Sequence, residues 1–389
     1  MKEKFRLSFL GDIMFEKYIL DKKPENSDFN SMFSEVKSVL ESSDIVLGNV
    51  ETTFSGAEAG YTKKMYSFNT PDGAIKSLKN LGLDYAIITN NHILDRGFWG
   101  RKRTIEKLEN AGIKVLAKND KLDVIGIEGV KISILPYTSS TNYVDNNVKL
   151  NFEEEIQLRL LNPYDYWESD FKPKSLKQKV HKLISGIIGP ENMMKVKKKL
   201  GKKHKYPYTD MLLKSQEDRL EPYIQIVEKQ MSQSKQISDI TIVIPHMGGQ
   251  FNKEPGTFSK YYMEIFRKFG AGIIIGSHPH ILQKYENIEN IPSFYSIGNF
   301  SMAPNSTYTI LDDHPEVGII VHLDINIAKK QIQDIIITPI IMTMKESFKV
   351  LPFFGSEMDK SSKLDWLKSM LKVDLEFINK TDLRIKEVL

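Results

Sequence analysis

The sequence predicts an α/β fold, and three observations lead there. Short apolar runs of strand character alternate with segments whose apolar residues recur every three or four positions, the spacing of an amphipathic helix. Five of those runs end in a side chain that can hold a metal or move a proton, as strand ends in α/β folds commonly do. Near the middle of the chain the composition changes sharply, which predicts an inserted segment.

The 389 residues can form one large domain with an insertion, or two domains. The formal net charge of +4 gives no global argument for nucleic acid, which is not expected as a partner. The absence of cysteine excludes a disulfide framework and thiolate metal sites. The first six residues run directly into a strand-like segment. No apolar signal core precedes it, and no stretch reaches membrane-spanning length. The expectation is a soluble, cytoplasmic protein, at most peripheral to the membrane.

Taken in order, residues 5–10 read as a strand ending at Gly11-Asp12-Ile13-Met14. Residues 31–41 have helical spacing through Met32, Val36 and Leu40. Residues 44–51 form a second apolar strand closed by Glu51, which reads as a ligand, a base or a solvated acid. Pro71 marks a helix start, and Ala74, Leu78 and Leu81 give that helix its apolar face. A third strand, 84–89, ends in Asn90-Asn91-His92, followed by Asp95-Arg96-Gly97. Two amides and an imidazole at a strand end are an unusual choice for structure alone. A helix with Ile105 and Leu108 inward ends at Gly112, and Glu128-Gly129 is a good hairpin turn between two further strands.

Residues 140–170 are polar and acidic. Residues 172–205 carry twelve lysines against one acid, Glu191, so the rest of the chain carries 4 − 11 = −7. Leu176, Val180, Leu183, Ile184 and Ile187 fit one helix face; Met193, Val196 and Leu200 fit another. The segment reads as a lysine-rich helical insertion or lid over 140–212. Its lysines are a solvated face, a docking surface for a polyanionic substrate, or a contact with an anionic membrane. No aromatic residues interleave them, which argues against stacking on nucleic acid.

After a helix at 220–231, residues 240–244 form a strand closed by Pro245-His246. A helix with Tyr261, Ile265 and Phe269 leads to strand 271–275 and Gly276-Ser277-His278-Pro279-His280. Such a strand and tight turn can hold two imidazoles on one rigid edge, as metal binding requires. Residues 294–300 form a strand and turn. Residues 317–325 and 331–338 read as a hairpin or edge pair, with His322 as a plain strand histidine. The tail, 346–389, is expected to be helical through Leu364, Leu367 and Leu371.

The strand ends therefore bring Asp12, Glu51, Asn91-His92, His246 and His278/His280 into one list. Carboxylate, amide and imidazole together suit one or two divalent ions such as Mn, Fe, Zn or Co. Two ions bridged by a carboxylate can activate water and clamp an oxyanion.

These motifs, with Asn49-Val50-Glu51, His246-Met247-Gly248 and Tyr295-Ser296-Ile297-Gly298-Asn299-Phe300, resemble the CapA family of poly-gamma-glutamate capsule-biosynthesis proteins. That family lies within the calcineurin-like metallophosphoesterases. The resemblance covers residues 1–138 and 215–340. It implies a sandwich of two mixed sheets flanked by helices, with core halves at 1–139 and 213–345. It also implies that Glu51 bridges two metals. Asp12 and His280 would serve one, and Asn91, His246 and His278 the other. His92 would be the acid/base histidine, and Asp95 would orient it or cap the next helix.

The chain departs from the pattern in three places. Met14 stands where the wider phosphoesterases place a histidine. Met247-Gly248-Gly249-Gln250 replaces Trp-Gly-x-Glu, and the insertion is additional. The leading expectation is a metal-dependent hydrolase of the phosphoester type in capsule or related polymer synthesis. Its substrate would be an anionic polymer, a phosphoester or a peptide. The alternatives are a metal-dependent peptide epimerase using His92 as base, and a non-catalytic scaffold that contacts a polymer synthase or membrane through 172–205.

Overall fold

The computed structural model describes residues 2–23, 28–62, 66–167, 210–304, 306, 309, 311–344, 346–354 and 360–386. Each strand of the core alternates, so that one side chain faces a second sheet and the next faces a helix. In β1 (Lys4–Ile13), Phe5, Leu7 and Phe9 point into the space between the sheets, while Leu10 and Ile13 point the other way. β2 (Ile45–Val50) repeats this with Ile45 and Leu47 against Val46 and Val50.

Beside these lie β3 (Tyr85–Ile87) and β4 (Lys114–Leu116), all four parallel. The second sheet contains β5 (Asp123–Ile127), β6 (Val130–Thr138), β7 (Ile240–His246), β8 (Ile273–Ile275), β9 (Tyr285–Ile288) and β10 (Ile291–Phe294). Its order is β5-β6-β7-β8-β10-β9, with β6, β7, β8 and β10 parallel and antiparallel strands at both edges. Glu128 and Gly129 turn β5 into β6, both at positive φ, as a tight hairpin requires.

The first sheet continues with β11 (Asn299–Ser301), β12 (Val317–Asn326), β13 (Gln331–Thr343), β14 (Lys349–Pro352), β15 (Asp374–Phe377) and β16 (Leu383–Lys386). Its order is β15-β16-β13-β12-β1-β2-β3-β4, with β11 also on β1 and β14 on β13. β12 and β13 do form the expected antiparallel pair, in the middle of the sheet beside β1.

Three packed layers of side chains hold the molecule. Ile132, Ile134, Ile242, Ile244, Ile273 and Ile275 meet the inward residues of β1 and β2 in the sandwich. Helices Gly73–Leu81 and Gly97–Asn110 cover the first sheet through Leu78, Leu81 and Leu108. Helices Glu221–Ile237 and Thr257–Lys268 cover the second through Met231, Phe258, Tyr262 and Phe266. This is the two-sheet α/β sandwich expected, with helices on both outer faces.

Two local expectations change. Residues 31–41 hold only a turn of 3-10 helix, Asn30–Met32, and a short helix, Lys37–Leu40. Adjacent Met32 and Phe33 are both buried, and Phe33 stacks on Phe300 at 5.6 Å, so packing overrides the helical period. The tail is only partly helical: Lys360–Leu371 is a helix, and β14, β15 and β16 extend the first sheet. The lysine-rich segment 172–205 lies outside the described residues.

Candidate metal centre

The carboxyl ends of β1, β2, β3, β7 and β8 converge, and each delivers a polar side chain. Gly11 makes the first delivery possible. A Cβ there would lie 2.1 Å from the Gly298 carbonyl oxygen, so β11 can approach β1 only beside glycine. The register slips at Leu10/Asp12, a bulge that re-aims Asp12 toward the second sheet. At β8, Gly276 plays a similar part: its Cβ would meet the Tyr295 carbonyl at 2.3 Å. The following turn is pinned to β7 by Ser277 N donating to Pro245 O (3.0 Å) and Met247 N donating to Ser277 O (3.1 Å). Within it His278 (φ 99) and His280 (φ 58) both adopt left-handed backbone. Such conformations cost about 1–3 kcal/mol each and persist where the surroundings over-determine them.

The side chains meet around Glu51. Its Oε1 lies 3.6 Å from Nε2 of His92, 3.6 Å from Nε2 of His246 and 3.7 Å from Nε2 of His280. Glu51 is fully buried, and neither carboxylate oxygen has a hydrogen-bond partner. His246 Nε2 is also 2.8 Å from Asn91 Oδ1 and 3.0 Å from His278 Nδ1. Two trios, Glu51/His246/His278 and Asp12/Glu51/His280, each converge their ligand atoms within 4.8 Å and share Glu51. A buried carboxylate without a donor is costly. A divalent ion on either side removes that cost, and nitrogen and oxygen ligands of this mixture suit it. The residues present therefore fit one or two divalent ions.

The supporting groups fix each ligand. Asn90 Nδ2 donates to Asn49 Oδ1 (3.0 Å), and Asn49 Nδ2 donates to Asp12 Oδ1 (2.7 Å). Asp12 Oδ2 accepts from His278 N at 3.1 Å. His246 Nδ1 meets Ser277 Oγ at 2.9 Å, and His280 Nδ1 meets Asn299 Oδ1 at 2.9 Å, leaving Nε2 of each ring for the pocket. His92 is held by Asp95 Oδ2, 2.6 Å from its Nδ1, and by the Phe68 ring, 4.2 Å away. Asp95 thus faces His92; the helix at Gly97 has no side-chain cap. Phe68 N donates to Asp95 Oδ2 at 2.5 Å. Arg96 secures the same loop by donating to the Ala59 and Gly60 carbonyls at 3.1 and 2.9 Å.

Without a cation, protons carry the balance. Burial would raise the Asp12 carboxyl, but His280 and His246 hold it well below the usual range. Burial opposes a proton on His280, yet Glu51 and Asp12 push its pKa up to about 9. Burial, with His246 and His280 alongside, drives His278 well below the ordinary histidine value. Burial also opposes a proton on His92, and Asp95 and Glu51 outweigh it.

All eight site residues read from the sequence are brought together. Met14 is buried in the core between the first sheet and its helices. Asn49, Asn90 and Asn299 stood in recognised motifs without an assigned role. Asn142, which contacts both Asn91 and His92, gave no signal: it sits in a polar stretch beyond the end of β6, past the strand end itself.

A family model described as Bacterial capsule synthesis protein PGA_cap matches residues 6–303. The chain belongs to that family. It is 26% identical over 295 residues to the PGA biosynthesis protein CapA of Bacillus subtilis (strain 168), covering 75% of this chain and 62% of that one. It is 22% identical over 308 residues to the capsule biosynthesis protein CapA of Bacillus anthracis, covering 77% and 60%. The chain thus spans less than two thirds of these relatives. The solved structure of GAP50, the anchor in the inner membrane complex of Plasmodium, aligns over 95% of both chains at 11% identity with a TM-score of 0.38. Among the described residues, no helix is long and apolar enough to cross a membrane.

Proposed function

We propose that this chain is a metal-dependent hydrolase of the phosphoester type, acting in the making of a capsule or poly-gamma-glutamate-like polymer. The observation that carries the reading is Glu51: a buried carboxylate with both oxygens unpartnered, ringed by imidazole nitrogens. Divalent ions there would activate water and neutralise charge on a phosphoryl oxygen. Asp12, Glu51 and His280 would hold one ion; Glu51, Asn91, His246 and His278 would hold the other. His92 carries its Nδ1 proton toward Asp95 and presents Nε2 to the pocket. From there it can give a proton to a leaving oxygen.

The test is release of nitrophenol from nitrophenyl phosphomonoesters and diesters by protein loaded with Mn, Fe, Zn or Co. The expected result is turnover that His92→Ala removes while metal content stays at the parent level. No turnover of either ester class by fully loaded protein would sink the hydrolase reading. The proposal includes a cytoplasmic or membrane-surface location, with the lysines of 172–205 meeting an anionic polymer, membrane or polymer synthase. Deletion of 172–205 is expected to abolish binding to polyglutamate or anionic vesicles; unchanged binding to both would remove that part.

A further inference from the structure

Asn142 stands at the start of the inserted stretch, just after β6. Its backbone is left-handed (φ 51, ψ 37), a conformation asparagine tolerates better than most residues. Asn142 N donates to Ser140 Oγ at 3.1 Å, which fixes the turn. Its side chain reaches back into the metal centre. Asn91 Nδ2 donates to Asn142 Oδ1 at 3.0 Å. The Asn142 amide nitrogen lies 3.2 Å from His92 Nδ1. Asp95, at 2.6 Å, takes the proton on that ring nitrogen, so the Asn142 NH2 group faces a second donor there and gains no hydrogen bond.

The contact with Asn91 has a chemical consequence. An amide offers a metal its oxygen, never its NH2 group. If Asn91 turned over, its NH2 would enter the pocket beside His246 Nε2 and oppose a cation. With Asn91 Oδ1 turned toward the pocket, its NH2 group needs an acceptor on the far side, and Asn142 Oδ1 supplies it.

We infer that Asn142 is a positioning residue for the metal centre: its carbonyl oxygen accepts from the Asn91 NH2 group and so supports the Asn91 amide with oxygen toward the metal. The inference rests on the metal reading above. It also ties metal affinity to the first turn of the insertion.

The test is titration of Mn2+ into the metal-stripped full chain. Asn142→Gly keeps the left-handed backbone and removes the amide. Asn142→Asp keeps an acceptor and has no NH2. Asn142→Gly is expected to weaken Mn2+ binding about tenfold or more, in the range typical of groups that orient ligands. Asn142→Asp is expected to bind at least as tightly as the parent. In an Asn91→Ala background, Asn142→Gly should change nothing.

Parent-like affinity in Asn142→Gly would overturn the inference and leave the metal site standing. So would an equal loss in the Asn91→Ala background, since that loss would be general loosening of the turn. A parent chain that binds no Mn2+, Fe2+, Zn2+ or Co2+ would overturn the metal reading and this inference with it.

Discussion

Among the described residues two buried histidine clusters stand out, and they differ in one respect. His322, in the middle of β12, is fully buried with Ser8 and Thr338. Ser8 Oγ is 2.7 Å from its Nδ1, Thr338 Oγ1 is 2.9 Å from its Nε2, Thr338 donates to Asp382 at 2.5 Å, and Ser43 lies 2.6 Å from Ser8. The protons run one way, Ser43 to Ser8 to His322 to Thr338 to Asp382, and every member is paired. The Glu51 cluster is as deeply buried, but its central carboxylate has no donor. A closed chain of that kind stabilises a core; an open one is maintained at a cost and points to a ligand.

Breaking each cluster separates the two kinds. Glu51→Gln has the largest expected effect: loss of metal binding and of turnover. His92→Ala should lower turnover by about 10²–10⁴-fold while metal content holds, read by steady-state rates and elemental analysis. His322→Ala should do the reverse. It strands Ser8 and Thr338 and leaves a cavity, so denaturant unfolding should show a loss of about 3 kcal/mol with metal binding intact.

The pH dependence of the parent follows from the same histidine. Burial, and then Arg6, depress His322 to about 4. Its folded value lies below the unfolded one, so the unfolded chain takes the proton first as pH falls. The contribution of His322 to stability is full above about 6.5 and is lost toward about 4, by on the order of 3 kcal/mol in total. Unfolding curves across that window should show the slope in the parent and a flatter one in His322→Ala.

The same contrast explains what the sequence made legible. His322 is flanked by Val321 and Leu323 inside a strand, and it is structural. Asp12, Glu51, Asn91, His246, His278 and His280 stand at or just beyond strand ends, where the chain leaves the sheet and can aim a side chain. Short apolar runs located the strands, and parallel pairing brought their ends together. Asn142 was illegible because its position depends on the turn that follows β6, which no periodicity encodes. β15 and β16 were legible in principle: Asp374-Leu375-Glu376-Phe377 and Leu383-Arg384-Ile385-Lys386 alternate as strands do. The helical spacing ahead of them, through Leu364, Leu367 and Leu371, masked it. The short structure at 30–40 was not legible, since the contact of Phe33 with Phe300 joins residues far apart in the chain.

The most direct measurement of the central claim is the melting temperature of metal-stripped parent and Glu51→Gln, each with and without Mn2+. The account predicts that Mn2+ raises the parent's value and leaves Glu51→Gln unchanged. A parent indifferent to Mn2+, Fe2+, Zn2+ and Co2+, or a Glu51→Gln stabilised by Mn2+ as much as the parent, would contradict it.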